Sequence, residues 1–410
     1  MKLASITIIA LTTMLSCGNQ QQTKKDIVKN NFDFASKQLA FAVKEIDKVL
    51  LEESPESKKR REDRNLGPLV NPRTIKKDGT LELVASRDWT SGFFPGELWY
   101  MYEYTKDKQW EELARRYTDP LEREKINAVT HDMGFKIYCS FGNGYRLTKD
   151  ARYKDIMLEA ATTLITRFNP TVGCIRSWDH NRDKWGFPVI IDNMMNLELL
   201  FWASKESGNS MFYDIAVTHA RTTIKNHFRS DYSTYHVIDY DTITGEVMHR
   251  HTHQGYAHES TWSRGQAWGL YGFVMCYRET QLPEFLEQAK YIANRIFTHP
   301  NLPDDFIPYW DYNAPEIPNE PRDVSAATIT ASALYELSLY DKENAQTHID
   351  RAEAILSNLS DNYLADKGGD RGFLLLHSTG SKPMDSEVDV PLVYADYYFL
   401  EALLRKKNLK

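Results

Sequence analysis

Apolar residues recur at helical spacing from Lys29 to the C-terminus, and this periodicity constrains the fold more than any other feature of the chain. It predicts twelve helices, over 29–52, 93–106, 108–126, 131–147, 151–168, 192–206, 209–228, 264–281, 283–297, 324–340, 344–360 and 391–406. Short polar turns such as 148–150 and 207–209 join several pairs, which is typical of antiparallel neighbours.

The predicted helices alternate between two characters. Those over 131–147 and 264–281 are rich in glycine and aromatic residues, whereas those over 108–126 and 344–360 have one charged face. An inner ring buried on all sides, wrapped by an outer ring that is solvated on one face, would produce this alternation. We therefore predict an all-α fold for residues 29–410, an (α/α)6 barrel of six helical hairpins.

Two segments between the helices carry signals of their own. Alternating residues on either side of Thr244-Gly245, over 235–240 and 246–249, predict a small β-hairpin inserted at the rim of the barrel. The charged run 54–65 is typical of a solvated linker.

The N-terminus has the pattern of an export signal. Lys2 precedes a short apolar run, residues 3–15, which ends in Met14-Leu15-Ser16-Cys17-Gly18 and resembles a bacterial lipobox. We predict a lipoprotein signal peptide over 1–16, lipidation of Cys17 and a polar tether over 17–28, with the protein anchored in the cell envelope and facing the periplasm. The alternative is an ordinary cleaved signal peptide and secretion to the periplasm.

Composition and missing motifs exclude several classes of protein. The net charge of −7 argues against a nucleic-acid-binding protein. The sequence has no GxSxG elbow, no GxGxxG fingerprint and no Walker loop, which argues against serine-nucleophile and nucleotide chemistry. Four histidines close together in the sequence are compatible with a zinc site, but no cysteine or HExxH pattern accompanies them. They are His249, His251, His253 and His258. We predict neither a metal nor an organic cofactor.

Two aspartates stand at the starts of predicted inner helices. Asp132 opens the helix over 131–147, and Asp192 follows the apolar run 186–191. Each could simply cap its helix. If both helices run in the same direction, however, both carboxylates face one mouth of the barrel, and an apolar environment would let one of them keep a proton near neutral pH. Paired carboxylates of this kind carry out glycoside chemistry.

Aromatic and polar residues near these helix starts are typical of a sugar-binding cleft, because indole faces stack on pyranose rings. The candidates are Trp89, Trp178, His180, His253, Gln254, Trp262, Arg264 and Trp268. For Trp268 the alternative is core packing. Arg264, at a helix start, could bind an anionic group, or it could tie the 229–263 loop to the barrel through backbone carbonyls.

Several motifs resemble glycoside hydrolase family 88, the unsaturated glucuronyl hydrolases. They are His131-Asp132-Met-Gly-Phe, Asp192-Asn-Met-Met-Asn, His236 before Val-Ile-Asp, His253-Gln254-Gly-Tyr, and Trp262-Ser-Arg264-Gly-Gln-Ala-Trp268-Gly-Leu. The resemblance runs from about Trp89 to the closing helix, and the family's fold is the (α/α)6 barrel predicted above.

The resemblance implies a substrate and a mechanism. The substrate is an oligosaccharide, left by a polysaccharide lyase, whose non-reducing end is a 4,5-unsaturated uronic acid. Asp192 would protonate C4 and help to deprotonate the water that adds at C5, and Asp132 would hold sugar hydroxyls. The same resemblance assigns substrate binding to Trp89, His131, His236, His253, Gln254, Trp262, Arg264 and Trp268.

Three other functions fit part of the sequence. A family 105-type unsaturated rhamnogalacturonyl hydrolase has the same barrel and chemistry, although the Asp132 motif argues against it. A non-catalytic polysaccharide-binding lipoprotein would explain the lipobox and the aromatic residues, but not the two aspartates. A toroidal polysaccharide lyase would need a Tyr or His base. The parent polysaccharide, whether ulvan, a glycosaminoglycan or another, stays open.

Overall fold

The computed structural model describes residues 27–409. In chain order its α-helices are α1 (Ile27–Leu51), α2 (Pro55–Asp63), α3 (Phe93–Thr105), α4 (Lys108–Thr118), α5 (Asn143–Thr148), α6 (Ala151–Ile165), α7 (Leu197–Ser207), α8 (Ser210–His227), α9 (Ser263–Thr280), α10 (Pro283–Phe297), α11 (Val324–Leu337), α12 (Ala345–Asn362) and α13 (Val393–Asn408). The 3-10 helix Asp119–Ile126 extends α4, the π-helix Gly134–Gly142 precedes α5, and the 3-10 helix Ile191–Asn196 leads into α7.

Alternate helices form two concentric rings. The inner ring consists of α3, the π-helix with α5, the 3-10 helix with α7, α9, α11 and α13, and its members pack side by side until α13 meets α3. Every residue of α11 is buried, whereas outer helix α4 buries one face through Trp110, Ala114 and Tyr117. The predicted (α/α)6 barrel is therefore confirmed.

Short antiparallel strands lie in the connections at one end of this barrel. They are β1 (Leu69–Ile75), β2 (Leu81–Ala85), β3 (Phe168–Asn169), β4 (Cys174–Ile175), β5 (Pro188–Ile190), β6 (Val237–Tyr240), β7 (Val247–His251), β8 (Ser378–Ser381) and β9 (Ser386–Val390). The predicted rim hairpin is present as β6–β7, and β5 joins it as a third strand. The hairpins β1–β2 and β8–β9 were not predicted, because helical periodicity carries no signal for them.

Several helix boundaries differ from the prediction, and three of the differences are informative. The helix predicted over 108–126 changes from α to 3-10 after Thr118, where Pro120 lacks the backbone N–H that an α-helix would use. The charged run 54–65 contains helix α2, whose side chains are exposed apart from half-buried Arg61. Residues 27 and 28, predicted as tether, belong to the first turn of α1.

The predicted signal peptide, Cys17 and most of the tether lie outside the described residues. Among residues 27–409, no helix is both long enough and apolar enough to cross a membrane.

A close approach between two inner helices needs a residue without a side chain at position 134. A Cβ atom at Gly134 would lie 2.7 Å from Asn196 Cα and 3.0 Å from the Met195 carbonyl oxygen. This approach also lets Asn196 Oδ1 accept hydrogen bonds from the backbone N–H groups of Gly134, at 2.8 Å, and Phe135, at 3.2 Å. Gly134 therefore sets the distance between the helix starts that follow Asp132 and Asp192.

Gly134→Ala is expected to lower the free energy of unfolding by about 1–3 kcal/mol, because backbone atoms rather than flexible side chains must move. It should also reduce kcat, since the two helix starts are pushed apart. Gly269→Ala in α9 is the control, because its new Cβ would meet Ile292 at an ordinary 3.6 Å. Denaturant unfolding and steady-state kinetics measure both variants, and equal behaviour of the two would contradict this role for Gly134.

Candidate active site

A cavity of about 380 Å³ opens at the end of the barrel where several inner helices begin. Of the ten residues that the family resemblance assigns to the site, seven line it: Trp89, His131, Asp132, Asp192, His253, Gln254 and Arg264. The remaining three, His236, Trp262 and Trp268, are buried and pack around the residues that line it. The fold therefore brings together residues that are up to 179 positions apart in the sequence, from Trp89 to Trp268.

Neither aspartate acts as a helix cap. Asp192 lies inside the 3-10 helix Ile191–Asn196, whose N-cap residue is Ile190, and the π-helix that follows Asp132 has Met133 as its N-cap. No side chain among residues 27–409 caps either helix. The capping alternative is therefore wrong for both aspartates, and both carboxylates are free to face the cavity.

Asp192 is the buried acid of the site. Its side chain is 11% exposed, and Oδ2 has no hydrogen-bond partner among residues 27–409. Burial raises the pKa of Asp192 to about 7, because the carboxylate loses its hydration. Arg264 opposes the rise and the negative charge of Asp132 adds to it. Near neutral pH, Asp192 therefore holds a proton that it can donate.

His236 faces Asp192 in a defined tautomer. Its Nδ1 atom accepts hydrogen bonds from the backbone N–H groups of His253 and Gln254, both at 3.1 Å. The proton of the neutral ring therefore sits on Nε2, which lies 3.7 Å from Asp192 Oδ2. Burial lowers the pKa of His236, and Trp262 packs on its ring with centroids 4.4 Å apart. His236 thus presents a neutral N–H donor beside the acid.

The environment of Asp132 differs from that of Asp192, because a hydroxyl donates to its carboxyl group and an imidazole lies close to it. Thr130 Oγ1 donates to Oδ2 at 2.6 Å, and His131 Nε2 lies 3.2 Å from Oδ1. Asn196 Oδ1 accepts the backbone N–H groups of Gly134 and Phe135, so the side-chain nitrogen of Asn196 points the other way. This nitrogen donates to His131 Nδ1 at 3.3 Å. That bond leaves the ring proton on Nε2, facing Asp132. Asp132 is thus arranged as an acceptor.

Arg264 is a structural element of the cavity wall. It is 1% exposed, and it donates to Asp323 Oδ2 at 2.5 Å, to the Thr379 carbonyl at 2.7 Å and to the Gly380 carbonyl at 2.6 Å. Both terminal nitrogens are therefore engaged by the protein. Binding of backbone carbonyls was the alternative role predicted for Arg264 from the sequence, and this is the geometry found. The carbonyls belong to β8, however, and not to the 229–263 loop as expected.

The hydrogen bonds to backbone carbonyls of the 229–263 loop come from a different arginine. Arg229 donates to the His258 carbonyl at 2.9 Å and to the Ser260 carbonyl at 3.2 Å. Gln254 in the same loop donates to the Gly380 carbonyl at 3.1 Å. Arg264 and Gln254 therefore share Gly380 as an acceptor, which fixes the β8–β9 hairpin over the cavity.

The wall that this hairpin forms was not predicted from the sequence. Gly380, Ser381, Met384, Ser386 and Glu387 line the cavity, and Arg73 of β1 joins them. Arg73 forms a two-pronged ion pair with Glu387, with nitrogen–oxygen distances of 2.5 and 2.8 Å. The only sequence signal was the length of the connections 53–92 and 361–390, which is typical of functional loops.

Aromatic rings cover much of the remaining wall. Trp178 stacks on His180 with ring centroids 5.0 Å apart, and His253 lies 5.4 Å from Trp178. Trp89 contacts Phe135 at 5.4 Å. Trp268 is fully buried, so that core packing describes its position, and its indole N–H has no hydrogen-bond partner among residues 27–409. Flat apolar faces beside polar atoms are the surface that a sugar ring needs.

The remaining histidines of the 249–258 segment stack beside the β5–β6–β7 sheet instead of converging. His251 lies between His249 and His258, with centroid distances of 5.3 and 4.6 Å, and its Nδ1 accepts a hydrogen bond from Trp185. Within residues 27–409, no group of three or more His, Cys, Asp or Glu side chains is arranged to hold a metal ion.

The site contains a buried carboxylic acid of raised pKa, a second carboxyl group and an aromatic wall inside an (α/α)6 barrel, which are features of an enzyme acting on carbohydrate. Comparison with known proteins gives the family. The sequence model of Glycosyl Hydrolase Family 88 matches residues 69–302, so the chain belongs to that family and is an enzyme, as the motifs predicted. This result excludes the non-catalytic lipoprotein and decides against the family 105 alternative.

Individual relatives agree with this assignment. An unsaturated glucuronyl hydrolase from Formosa agariphila is 54% identical over 328 residues, which cover 80% of this chain and 82% of that protein. A crystal structure of an unsaturated glucuronyl hydrolase specific for heparin has 47% identity and a TM-score of 0.85, and the match covers 94% of this chain and 99% of that one. A UGL variant structure with dGlcA-Glc-Rha-Glc has 32% identity and a TM-score of 0.79, covering 85% and 94%.

Arg264→Lys is expected to lower the free energy of unfolding by about 1–3 kcal/mol, because an ammonium cannot replace a planar fork that reaches three acceptors. KM should rise with it, since the β8–β9 hairpin loses its anchor. Arg229→Lys is the matched control, because it loosens the 229–263 loop and leaves Thr379 and Gly380 bound. A melting-temperature loss in Arg264→Lys with unchanged KM would show that the hairpin contributes nothing to binding.

Proposed function

We propose that this enzyme removes the 4,5-unsaturated uronic acid from the non-reducing end of lyase-generated oligosaccharides by hydrating the C4=C5 double bond. Unsaturated glucuronyl hydrolase activity is the activity named for its relatives, one of which is specific for heparin. The observation that carries the proposal is the burial of Asp192 at the cavity with Oδ2 unpartnered among residues 27–409, which raises its pKa to about 7. An enol ether needs such an acid, because C4 accepts a proton readily.

The reaction begins with proton transfer from Asp192 to C4. The C4=C5 electron pair forms the new C4–H bond, and positive charge develops at C5 and the ring oxygen. Asp192, now a carboxylate, takes a proton from the water that adds at C5. The resulting hemiketal opens to a ketone at C5. The hemiacetal at C1 then becomes an aldehyde and releases the remaining oligosaccharide with its glycosidic oxygen. One carboxyl group therefore serves as acid and then as base.

The residues around Asp192 have distinct tasks in this reaction. The Nε2 proton of His236 lies next to Asp192 Oδ2, so it can orient the reacting water or stabilise the Asp192 carboxylate. Asp132 accepts hydrogen bonds from sugar hydroxyls with the lone pairs that Thr130 and His131 leave free. The separation of the two carboxylates does not report the stereochemical outcome here, because the anomeric carbon is not attacked.

We further propose that the enzyme is a lipoprotein of the bacterial cell envelope that faces the periplasm. The support is the sequence around Cys17 and the polar segment that follows it. The lipid would concentrate the enzyme where imported oligosaccharides arrive, while the barrel works independently of it.

Cys17→Ala in the full-length chain is expected to move the protein from the membrane fraction to the soluble fraction without changing kcat/KM. The lipid is attached through this thiol, and the barrel starts at Ile27. Fractionation of the expressing cells and a metabolic label with a fatty acid measure the change. A protein that stays in the membrane fraction, or a wild type that takes up no label, would contradict lipidation at Cys17.

Asp192→Asn is expected to reduce turnover by about 10²–10⁴-fold or more, because the amide can neither donate nor accept the proton. The assay follows loss of the ultraviolet absorbance of the C4=C5 bond on a panel of lyase products from ulvan, glycosaminoglycans and other polymers, in buffer with EDTA. Asp155→Asn on outer helix α6 is the control for an aspartate outside the site. Near wild-type rates in a folded Asp192→Asn protein would remove Asp192 from the mechanism.

The same variant has a predicted effect on stability. The pKa of Asp192 is about 7 in the folded state, whereas in the unfolded chain it has the ordinary value for an aspartate. The free energy of unfolding of the wild type therefore falls as pH rises from about 4 to about 7. Above that range the full loss of stability remains. Asp192→Asn escapes this penalty, which is on the order of 4 kcal/mol from the size of the shift. Its melting temperature should exceed that of the wild type at alkaline pH and approach it near pH 4.

A further inference from the structure

Asn196 is a polar residue with no role in the reaction described above, although it lies four residues after Asp192. Its side chain is fully buried at the end of the 3-10 helix Ile191–Asn196. The residues of the described chain that line the cavity do not include it. Burying an amide is costly unless its hydrogen bonds are made, so the partners of Asn196 show what holds it there.

The side-chain oxygen of Asn196 holds the backbone that follows Asp132. Oδ1 accepts hydrogen bonds from the Gly134 N–H at 2.8 Å and from the Phe135 N–H at 3.2 Å. Both groups belong to the first turn of the π-helix, where backbone N–H groups lack acceptors within the helix. One amide oxygen therefore joins the segment that carries Asp132 to the helix that carries Asp192.

The side-chain nitrogen of Asn196 fixes the ring of His131. Since Oδ1 is engaged by the backbone, Nδ2 faces His131 Nδ1 at 3.3 Å, and Nδ1 accepts its hydrogen bond. Burial lowers the pKa of His131, so the ring is neutral and carries its single proton on the other nitrogen. That nitrogen, Nε2, lies 3.2 Å from Asp132 Oδ1.

Asn193, on the same 3-10 helix, does not fix this proton. Its Nδ2 donates to the Ile175 carbonyl at 2.7 Å, and its Oδ1 has no hydrogen-bond partner among residues 27–409. An amide oxygen could only accept a proton from His131, and no such bond is formed in the described part of the chain. The hydrogen bond from Asn196 therefore selects the tautomer.

We propose that Asn196 is a positioning residue, whose one amide fixes both the spacing of the segments that carry Asp132 and Asp192 and the Nε2 tautomer of His131. The inference rests on the proposed function, because it concerns how the sugar-binding side of that site is held in place. With its proton on Nε2, His131 faces Asp132 with an N–H group. With the proton on Nδ1, it would face the carboxyl oxygen with a lone pair, and repulsion would turn Asp132 away from the sugar hydroxyls.

Asn196→Asp separates the two tasks of the amide. A carboxylate of the same shape still accepts hydrogen bonds from Gly134 and Phe135, but it cannot donate one to His131. We expect kcat/KM to fall by about 10²-fold, the effect of a misplaced group at a site, while the melting temperature stays closer to that of the wild type than that of Asn196→Ala does. Asn196→Ala loses both tasks and adds no charge, so a fall in kcat/KM shared by both variants does not come from a new charge.

Nitrogen NMR of protein with ring-labelled histidine reads the tautomer directly and needs no substrate. The signal of His131 is assigned by its loss in His131→Gln. In the wild type the proton should be on Nε2, and in Asn196→Asp it should move to Nδ1 or the ring should become an imidazolium. A residue that merely stabilised the fold would change neither ring nitrogen.

Asn143→Asp is the matched control, because Asn143 is also buried in the inner ring but donates to the Cys139 carbonyl and the Tyr397 hydroxyl. It should leave kcat/KM and the His131 signal unchanged.

Three results would overturn the inference. They are a wild-type His131 with its proton on Nδ1, a wild-type kcat/KM in Asn196→Asp, and a reduced kcat/KM in Asn196→Asp with the proton still on Nε2 alone. If Asn196→Asp does not fold, the wild-type spectrum and Asn196→Ala decide, and a wild-type kcat/KM in Asn196→Ala would also overturn it. Failure of the proposed function is read separately, from a wild type that removes no absorbance from any lyase product.

Discussion

Desolvation of one carboxyl group is the constraint on which the rest of this structure depends. The pKa of Asp192 is about 7 because the inner helices bury most of its side chain and because Oδ2 lacks a partner among residues 27–409. Ionising such a group in the folded state lowers stability, so the surrounding barrel must tolerate that cost. The closed double ring of helices supplies the large buried core that makes this possible.

The site also depends on long-range ties between loops. Arg264 and Gln254 both donate to the Gly380 carbonyl, and Arg73 holds Glu387. These contacts join the segments after β7, at the start of α9 and in the β8–β9 hairpin. Asp132 and Asp192 stand at the starts of two inner helices, whereas much of the opposite wall of the cavity is assembled from loops. Changes in that wall would alter which sugars fit without changing the acid.

The sequence was sufficient for the barrel and for about half of the residues that line the cavity, and the reasons can be given for particular residues. Helical periodicity is a local signal, so it predicted the inner and outer helices, and Asp132 and Asp192 stood out because each begins an inner helix. Arg264 shows the limit, since its acceptors Thr379 and Gly380 are more than 110 residues away. Arg73 was equally invisible, because its partner Glu387 is 314 residues away and the two meet only in the folded chain.

The central claim, that Asp192 is a protonated acid near neutral pH, can be measured without substrate. The infrared difference spectrum between wild type and Asp192→Asn isolates the carbonyl stretch of this one carboxylic acid, and a titration from about pH 5 to about pH 9 follows its loss. The account predicts a band that disappears with a midpoint near the pKa of about 7. A spectrum that shows only the ionised carboxylate throughout this range would contradict it.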